Sequence, residues 1–188
     1  MSDTTLIVFE GIDNSGKTSI SQGVFDLLLK EQPGSWIWTK EPDFSTEEAD
    51  RLNDPTKPMN EVEREILFLE SRLRQMPKYQ SSNVILDRYL WTGMAYAKVF
   101  SPSTFPFVSK LYQSHNIFKI PTLTIFVDTP VEVCQSREPA LSLERLNKIR
   151  DAYMDTRANI TGRIEVMDGV GDLASNVEKA YNFVKRFV

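Results

Sequence analysis

The chain has 188 residues, 41% of them hydrophobic, which predicts one domain with a substantial core. Its formal net charge of −4 argues against a nucleic-acid-binding surface, and no apolar run approaches the roughly 20 residues of a membrane span. The single cysteine, Cys134, excludes a disulfide framework and a cysteine-rich metal site. We expect the single histidine, His115, to be structural.

The N-terminal stretch MSDTTLIVFEG lacks the basic segment of a signal peptide, so we expect an intracellular, cytoplasmic protein. From there, apolar strands alternate with helical patterns. The predicted strands are LIVF (6–9), WIWT (36–39), NVILD (83–87), TLTIFVD (122–128) and RIEVMDG (163–169). The predicted helices cover 18–32, 58–76, 90–100, a segment beginning at 107, 130–137, 141–157 and 173–187. This alternation predicts a five-stranded parallel sheet in a three-layer α/β/α domain over 1–188, with ligands at the carboxyl ends of the strands.

The first strand runs into a glycine loop, GIDNSGKT, that matches G-x-x-x-x-G-K-[ST] and precedes a predicted helix. Gly11 and Gly16 permit positive φ, so successive amides and the start of the helix can surround phosphate oxygens. Lys17 supplies a charge for the β- and γ-phosphates, and the Thr18 hydroxyl is a candidate Mg²⁺ ligand. The loop predicts a P-loop NTPase fold and an ATP site that contains Gly11, Asn14, Ser15, Gly16, Lys17, Thr18 and Ser19.

Charged residues follow the second and third strands at the same edge of the predicted sheet. Lys40 and Glu41 follow the second strand, and Lys40 is a candidate for contact with an acceptor phosphate. Asp87 closes the third strand and is a second candidate Mg²⁺ ligand, while Arg88 can grip an anion through two hydrogen bonds. In helix 58–76, the side chains of Phe68 and Arg72 share a face. That spacing suits a ring that stacks on a base and a guanidinium that bonds its carbonyl edge.

These segments together resemble the thymidylate kinases, nucleoside monophosphate kinases of the P-loop class. The matching segments are FEGIDNSGKTS (9–19), KEP (40–42), LFLESR (67–72), DRYLWTGMAY (87–96) and NKIRDAY (147–153), in the family's order. The resemblance implies Mg²⁺-dependent transfer of phosphate from ATP to dTMP by a homodimer with a helical lid at about 134–150.

The resemblance also implies roles for the acceptor residues. Phe68 would stack on thymine, Arg72 would bond its O4 edge, and Tyr96 would lie against the deoxyribose and exclude a 2′-OH. The other expected dTMP-binding residues are Asp13 near the sugar and phosphate, Lys40, Glu41, Arg88 on the phosphate, and Tyr153 in the same pocket.

Three positions depart from the family pattern. Lys40 stands where arginine is common and loses the bidentate fork. Ala97 stands where bacterial members often have glutamine, which predicts relaxed base selectivity. Asn14 stands where some members have arginine, and we expect it to be a loop residue with unusual dihedrals.

Members without that arginine use arginines of a mobile lid instead. Arg137 is the first candidate here and Arg145 the second, because Arg137 follows the helix after the fourth strand, where a lid would hinge. The expected catalytic set is therefore Asp13, Lys17, Arg88, Arg137 and Arg145. The loop after the fifth strand, near Gly169 and Val170, is expected to approach the adenine.

Three alternatives remain open at the level of sequence. A deoxynucleoside kinase would use Glu41 as a general base toward a 5′-OH, although Lys40 and Arg88 favour an acceptor that already carries phosphate. A nucleoside monophosphate kinase with broader base specificity is the second. A catalytically silent nucleotide-binding module is the third, and it would not need the pair formed by Phe68 and Arg72.

Overall fold

The computed structural model describes residues 4–114 and 116–188, so the expectation for His115 lies outside the described residues. Its sheet has five strands: β1 (Leu6–Glu10), β2 (Trp36–Lys40), β3 (Asn83–Asp87), β4 (Leu123–Asp128) and β5 (Ile164–Asp168). All pair in parallel, in the order β2-β3-β1-β4-β5. The predicted α/β fold with a five-stranded parallel sheet is confirmed.

Eight helices of the described chain connect and flank the strands. They are α1 (Lys17–Glu31), α2 (Thr46–Asn53), α3 (Glu61–Ser81), α4 (Leu90–Phe100), α5 (Phe105–Tyr112), α6 (Val131–Arg137), α7 (Leu143–Thr156) and α8 (Leu173–Val184). The region expected to form the lid, about 134–150, comprises the end of α6, a connecting loop and the first half of α7. Within residues 4–114 and 116–188, no helix has the length and apolarity needed to cross a membrane.

Two helices differ most from the sequence prediction. Helix α2 was not predicted, because it is polar and buries no side chain; the capping box formed by Ser45 and Glu48 was its one local signal. Helix α3 continues through Pro77 to Ser81, beyond the predicted end at residue 76. Burial of Tyr79 in the core beside β3 stabilises this last turn against the proline.

The core lies on both faces of the sheet, because alternate residues of each strand point to opposite sides. In β1, Ile7 and Phe9 pack with α1 and α8, whereas Leu6 and Val8 pack with α3, α4 and α5. Helices α4, α6 and α7 form a third cluster. Because β1 is central and wholly buried, the loop that follows it has a rigid base.

Candidate active site

The loop between β1 and α1 adopts the backbone that its glycines were expected to permit. The φ angles are +149° at Gly11 and +96° at Gly16. A Cβ at Gly11 would lie 2.7 Å from the carbonyl oxygen of Val127, so only glycine fits this close approach to β4. Asn14 has φ of +59°, which confirms its unusual dihedrals.

Lys17 begins α1 and points its ammonium group back into the loop. Its Nζ donates a hydrogen bond to the carbonyl oxygen of Ile12 at 3.0 Å, and the residue is buried. Burial, with the nearby charge of Arg88, lowers the pKa of Lys17 to about 8. The lysine is thus a desolvated cation aimed at the concave side of the loop.

Thr18 and Asp87 meet at the edge of the sheet. The Thr18 hydroxyl donates a hydrogen bond to Asp87 Oδ2 at 2.5 Å. Asp87 Oδ1 is buried and has no hydrogen-bond partner among residues 4–114 and 116–188. A hydroxyl and a carboxylate are hard oxygen donors of the kind that Mg²⁺ takes together with waters and phosphates. The described chain holds no cluster of three or more His, Cys, Asp or Glu residues, so this pair would need such additional ligands.

Arg88 and Asp13 form an ion pair beside the loop, with Arg88 Nη2 and Asp13 Oδ1 2.5 Å apart. Arg88 has φ of +71°, and its guanidinium lies 5.5 Å from the centre of the Tyr96 ring. Burial alone would raise the pKa of Asp13, but the charge of Arg88, with help from Tyr96 and Lys17, lowers it. Arg88 Nη1 is buried without a hydrogen-bond partner in the described residues, so one donor remains for an anion.

A cavity of about 460 Å³ lies over the glycine loop. Arg137 crosses it, donating to the carbonyl oxygens of Asn14 at 2.9 Å and Gly169 at 3.1 Å. The arginine thereby joins the glycine loop to the loop after β5. We call this space the donor cavity; it is lined by Asp13, Asn14, Gly16, Lys17, Thr18, Ser19, Ile20, Lys40, Arg88, Arg137, Gly169, Gly171 and Leu173. Ser15 lies beneath it, buried.

A second cavity, of about 670 Å³, lies between α3 and α4. We call it the acceptor cavity. The predicted acceptor residues that line it are Asp13, Lys40, Glu41, Phe68, Arg72, Arg88 and Tyr96. Phe44, Glu65, Gly93, Ala97, Phe100 and Arg145 are among the others. Asp13, Lys40 and Arg88 line both cavities, so they form a shared wall between them.

Arg72 is buried at the inner end of the acceptor cavity. Its Nε donates to Glu41 Oε2 at 2.6 Å, and its Nη2 donates to the Tyr89 carbonyl oxygen at 3.2 Å. The other oxygen of Glu41 accepts a hydrogen bond from the Tyr79 hydroxyl at 2.7 Å. Burial raises the pKa of Glu41 against the opposing effect of Arg72. Tyr79 escaped sequence reasoning because the helix was expected to end before it.

The structure does not bring Tyr153 into the acceptor cavity. Its side chain is fully buried, with its hydroxyl 2.5 Å from the Thr92 hydroxyl and donating to the Gly11 carbonyl oxygen at 3.1 Å. Glu10, which sequence reasoning also missed, accepts hydrogen bonds from the backbone amides of Tyr89 and Thr92 at the start of α4. Tyr153 and Glu10 therefore anchor elements around the site from within the core.

The two arginines expected in the lid occupy different positions. Arg137 lines the donor cavity, and Arg145 lines the acceptor cavity, where its guanidinium lies 5.1 Å from the centre of the Phe100 ring. Both side chains are largely exposed. Each cavity is therefore lined by one of the two exposed arginines.

Comparison with known proteins gives a consistent result. A family model described as thymidylate kinase matches residues 9–168. A thymidylate kinase from Ligilactobacillus salivarius is 27% identical, covering 97% of this chain and 98% of its own length. A probable thymidylate kinase from Metallosphaera sedula is 32% identical, covering 78% of this chain and 68% of its own. The crystal structure of thymidylate kinase from Ehrlichia chaffeensis shares the fold, with a TM-score of 0.72, 20% identity and coverage of 97% and 99% of the two chains.

Proposed function

This chain belongs to the thymidylate kinase family, and on that premise we propose that it transfers the γ-phosphoryl group of ATP to dTMP, giving ADP and dTDP. The observation that carries the proposal is the shared wall of Asp13, Lys40 and Arg88 between the donor and acceptor cavities. Phosphoryl transfer requires two anionic nucleotides to meet in line, and catalysis is mostly positioning and charge neutralisation. A wall that contains two cations where the cavities join suits that task.

In the donor cavity, ATP binds with its phosphates against the glycine loop. The amides of the loop and the N-terminus of α1 donate to phosphate oxygens, and Lys17 exchanges its bond to Ile12 for the β- and γ-phosphates. The adenine lies toward the loop at Gly169, which Arg137 joins to the glycine loop.

Thr18 and Asp87 would hold Mg²⁺, since their oxygens suit the ion and Asp87 Oδ1 is without a partner in the described chain. When bound, the ion neutralises charge on the β- and γ-phosphates.

In the acceptor cavity, dTMP binds with its base between α3 and α4. Phe68 stacks on thymine, and Arg72 donates its free Nη1 to the O4 edge. Tyr96 packs against the deoxyribose. Arg88 releases one side of its contact with Asp13 to grip the phosphate, and Asp13 then faces the sugar.

The lid supplies the charge that Asn14 cannot. Arg137 moves from its carbonyl partners onto the transferred phosphoryl group as ATP binds, and Arg145 approaches from the acceptor side. Both arginines are exposed, so this movement requires no disruption of the core.

The alternative of a deoxynucleoside kinase has no support in the site. Its general base would be Glu41, but this residue is 1% exposed and both of its oxygens accept hydrogen bonds, from Arg72 and Tyr79. A base that is already saturated cannot take a proton from a 5′-OH without breaking the pair that holds Arg72.

We further propose that the protein is a cytoplasmic homodimer. On α3, the side chains of Val62, Ile66 and Leu73 share a face and are 55%, 49% and 44% exposed. This face lies away from the acceptor cavity and suits a second copy of the chain. Sedimentation velocity on the wild type and on Ile66→Glu tests it, with a dimer expected for the first and a monomer for the second. A cytoplasmic location fits because ATP and dTMP are free intracellular nucleotides.

A coupled assay of ADP release with a panel of acceptors tests the reaction. We expect turnover with dTMP, none with thymidine, and weaker turnover with dCMP. Turnover with thymidine in place of dTMP would establish the nucleoside kinase, and binding of dTMP without turnover would establish the silent module.

A further inference from the structure

We propose that Tyr79 and Glu41 are positioning residues that hold the guanidinium of Arg72 so that only its Nη1 reads the base of the acceptor. This inference rests on the proposed function and concerns how the acceptor cavity selects a base. Tyr79 does not line the cavity, so its effect on the substrate passes through Glu41 and Arg72.

A buried chain of contacts connects the three side chains. The Tyr79 hydroxyl donates to one oxygen of Glu41 at 2.7 Å, and the other oxygen lies 2.6 Å from Arg72 Nε. The residues Tyr79, Glu41 and Arg72 are 0%, 1% and 4% exposed, respectively. Water does not compete for these bonds, and each group therefore depends on its neighbour for its position. Removal of the tyrosine hydroxyl leaves Glu41 with one partner and lets the ion pair rotate.

Two further contacts fix the plane of the guanidinium. Arg72 Nη2 donates to the carbonyl oxygen of Tyr89, and the Tyr112 ring centre lies 4.6 Å from Arg72 Cζ. Nη1 is the remaining donor group: it is buried and has no hydrogen-bond partner within residues 4–114 and 116–188. A buried, unpaired N–H of a charged group is costly, so a ligand acceptor at this position is favoured.

On the opposite wall, helix α4 faces Nη1 with a glycine. A Cβ added at Gly93 of α4 would lie 3.1 Å from Nη1, so the helix approaches the guanidinium without a side chain between them. No asparagine or glutamine lines the cavity in the described chain. A guanidinium has donors only, so it pairs with a base carbonyl and rejects an exocyclic amine. The precision of this choice depends on how firmly Glu41 and Tyr79 hold Arg72.

The test compares dTMP with an analogue that lacks the 4-oxygen of the base, using calorimetry or displacement of a fluorescent nucleotide. Tyr79→Phe keeps the ring that packs against Tyr89 at 5.8 Å and removes only the hydroxyl. We expect the affinity for dTMP to fall about tenfold, the effect of one lost hydrogen bond to a charged group. The affinity for the analogue should change by less than about twofold, because the analogue offers Arg72 no acceptor.

Two controls make the result decisive. Tyr181→Phe, in the core on the other face of the sheet, should leave both affinities unchanged. In an Arg72→Lys background, Tyr79→Phe should no longer distinguish the two ligands. Equal losses for dTMP and the analogue, or an unchanged affinity for dTMP, would overturn the positioning role. Failure of the wild type to bind dTMP would instead overturn the proposed function.

Discussion

The donor and acceptor cavities share three residues but are constructed differently. The donor cavity takes most of its lining from one continuous segment, 13–20. Under the proposed function, its main phosphate-binding groups are the backbone amides of that segment. The acceptor cavity draws its side chains from the end of β2, from α3, from α4 and from α7. Its polar groups are side chains that hold each other in buried ion pairs, as Arg72 and Glu41 do.

This difference has a consequence for function. Backbone amides are present in any sequence that forms the loop, so the donor cavity depends on glycines and on the helix start. A buried guanidinium needs partners that balance its charge, so the acceptor cavity depends on residues that do not touch the substrate. A substitution in one cavity should therefore change the kinetics of the substrate that binds there and leave those of the other substrate unchanged.

The largest expected effect comes from the arginine that lines the donor cavity. Arg137→Ala should lower kcat by about 10³-fold or more, because a transition-state arginine contributes ~10³–10⁵ in related phosphoryl transfer. Arg145→Ala should have a smaller effect, mainly through dTMP. Steady-state kinetics with both substrates varied measures this, with Arg157→Ala as an exposed control outside the lid region. If both lid variants keep nearly wild-type kcat, the lid assignment is wrong.

The next largest difference between the donor and acceptor cavities should lie in the pH dependence of kcat/KM for their two substrates. The pKa of Lys17 is lowered to about 8, so the lysine loses its charge in the free enzyme as pH rises above that value. We expect kcat/KM for ATP to fall by up to about tenfold per pH unit above 8. With ATP saturating, kcat/KM for dTMP should stay level, because Arg88 remains charged. Parallel declines for both substrates would contradict this distinction.

Gly93→Ala should affect the acceptor cavity alone. The added Cβ would lie 2.5 Å from Tyr112 Cε2 and 3.1 Å from Arg72 Nη1, so one of these groups must move. The gain in helix propensity, about 1 kcal/mol, does not relieve this clash. We expect KM for dTMP to rise about tenfold, with KM for ATP unchanged. A matching rise in KM for ATP would indicate general damage to α4.

The smallest effect is expected in the glycine loop at Asn14. Its φ of +59° suits glycine, so Asn14→Gly should leave kcat within about twofold of wild type. Asn14→Ala should lower the free energy of unfolding by about 1 kcal/mol, because alanine lacks the short polar side chain whose local hydrogen bonds let asparagine adopt a left-handed backbone. Denaturant unfolding and kcat for both variants check this. A large loss of kcat in Asn14→Gly would assign the side chain a catalytic duty.

Local patterns predicted the strands and most helices, because each strand is an apolar run that ends at a glycine, a charge or a turn. Helix α2 escaped prediction because it is short, mostly polar and buries no side chain, and the end of α3 escaped it because burial of Tyr79 outweighs Pro77. In the site, the spacing of Phe68 and Arg72 predicted that they share a helix face, and both line the acceptor cavity. The expected location of Tyr153 in that cavity was not met, since its hydroxyl bonds within the core.

The sequence by itself determined the glycine loop, the alternation of strands and helices, and the charged residues at the strand ends. These features depend on residues that are a few positions apart in the chain, so a short segment of sequence is enough to predict them. Only the tertiary structure decided that Glu41 is bound to Arg72 and Tyr79, that Asp13 is paired with Arg88, and that Arg137 spans two loops. Those contacts join residues from distant segments. A buried charge pairs with whichever group the fold brings within hydrogen-bond distance. The spacing of residues in the sequence does not predict which group that is.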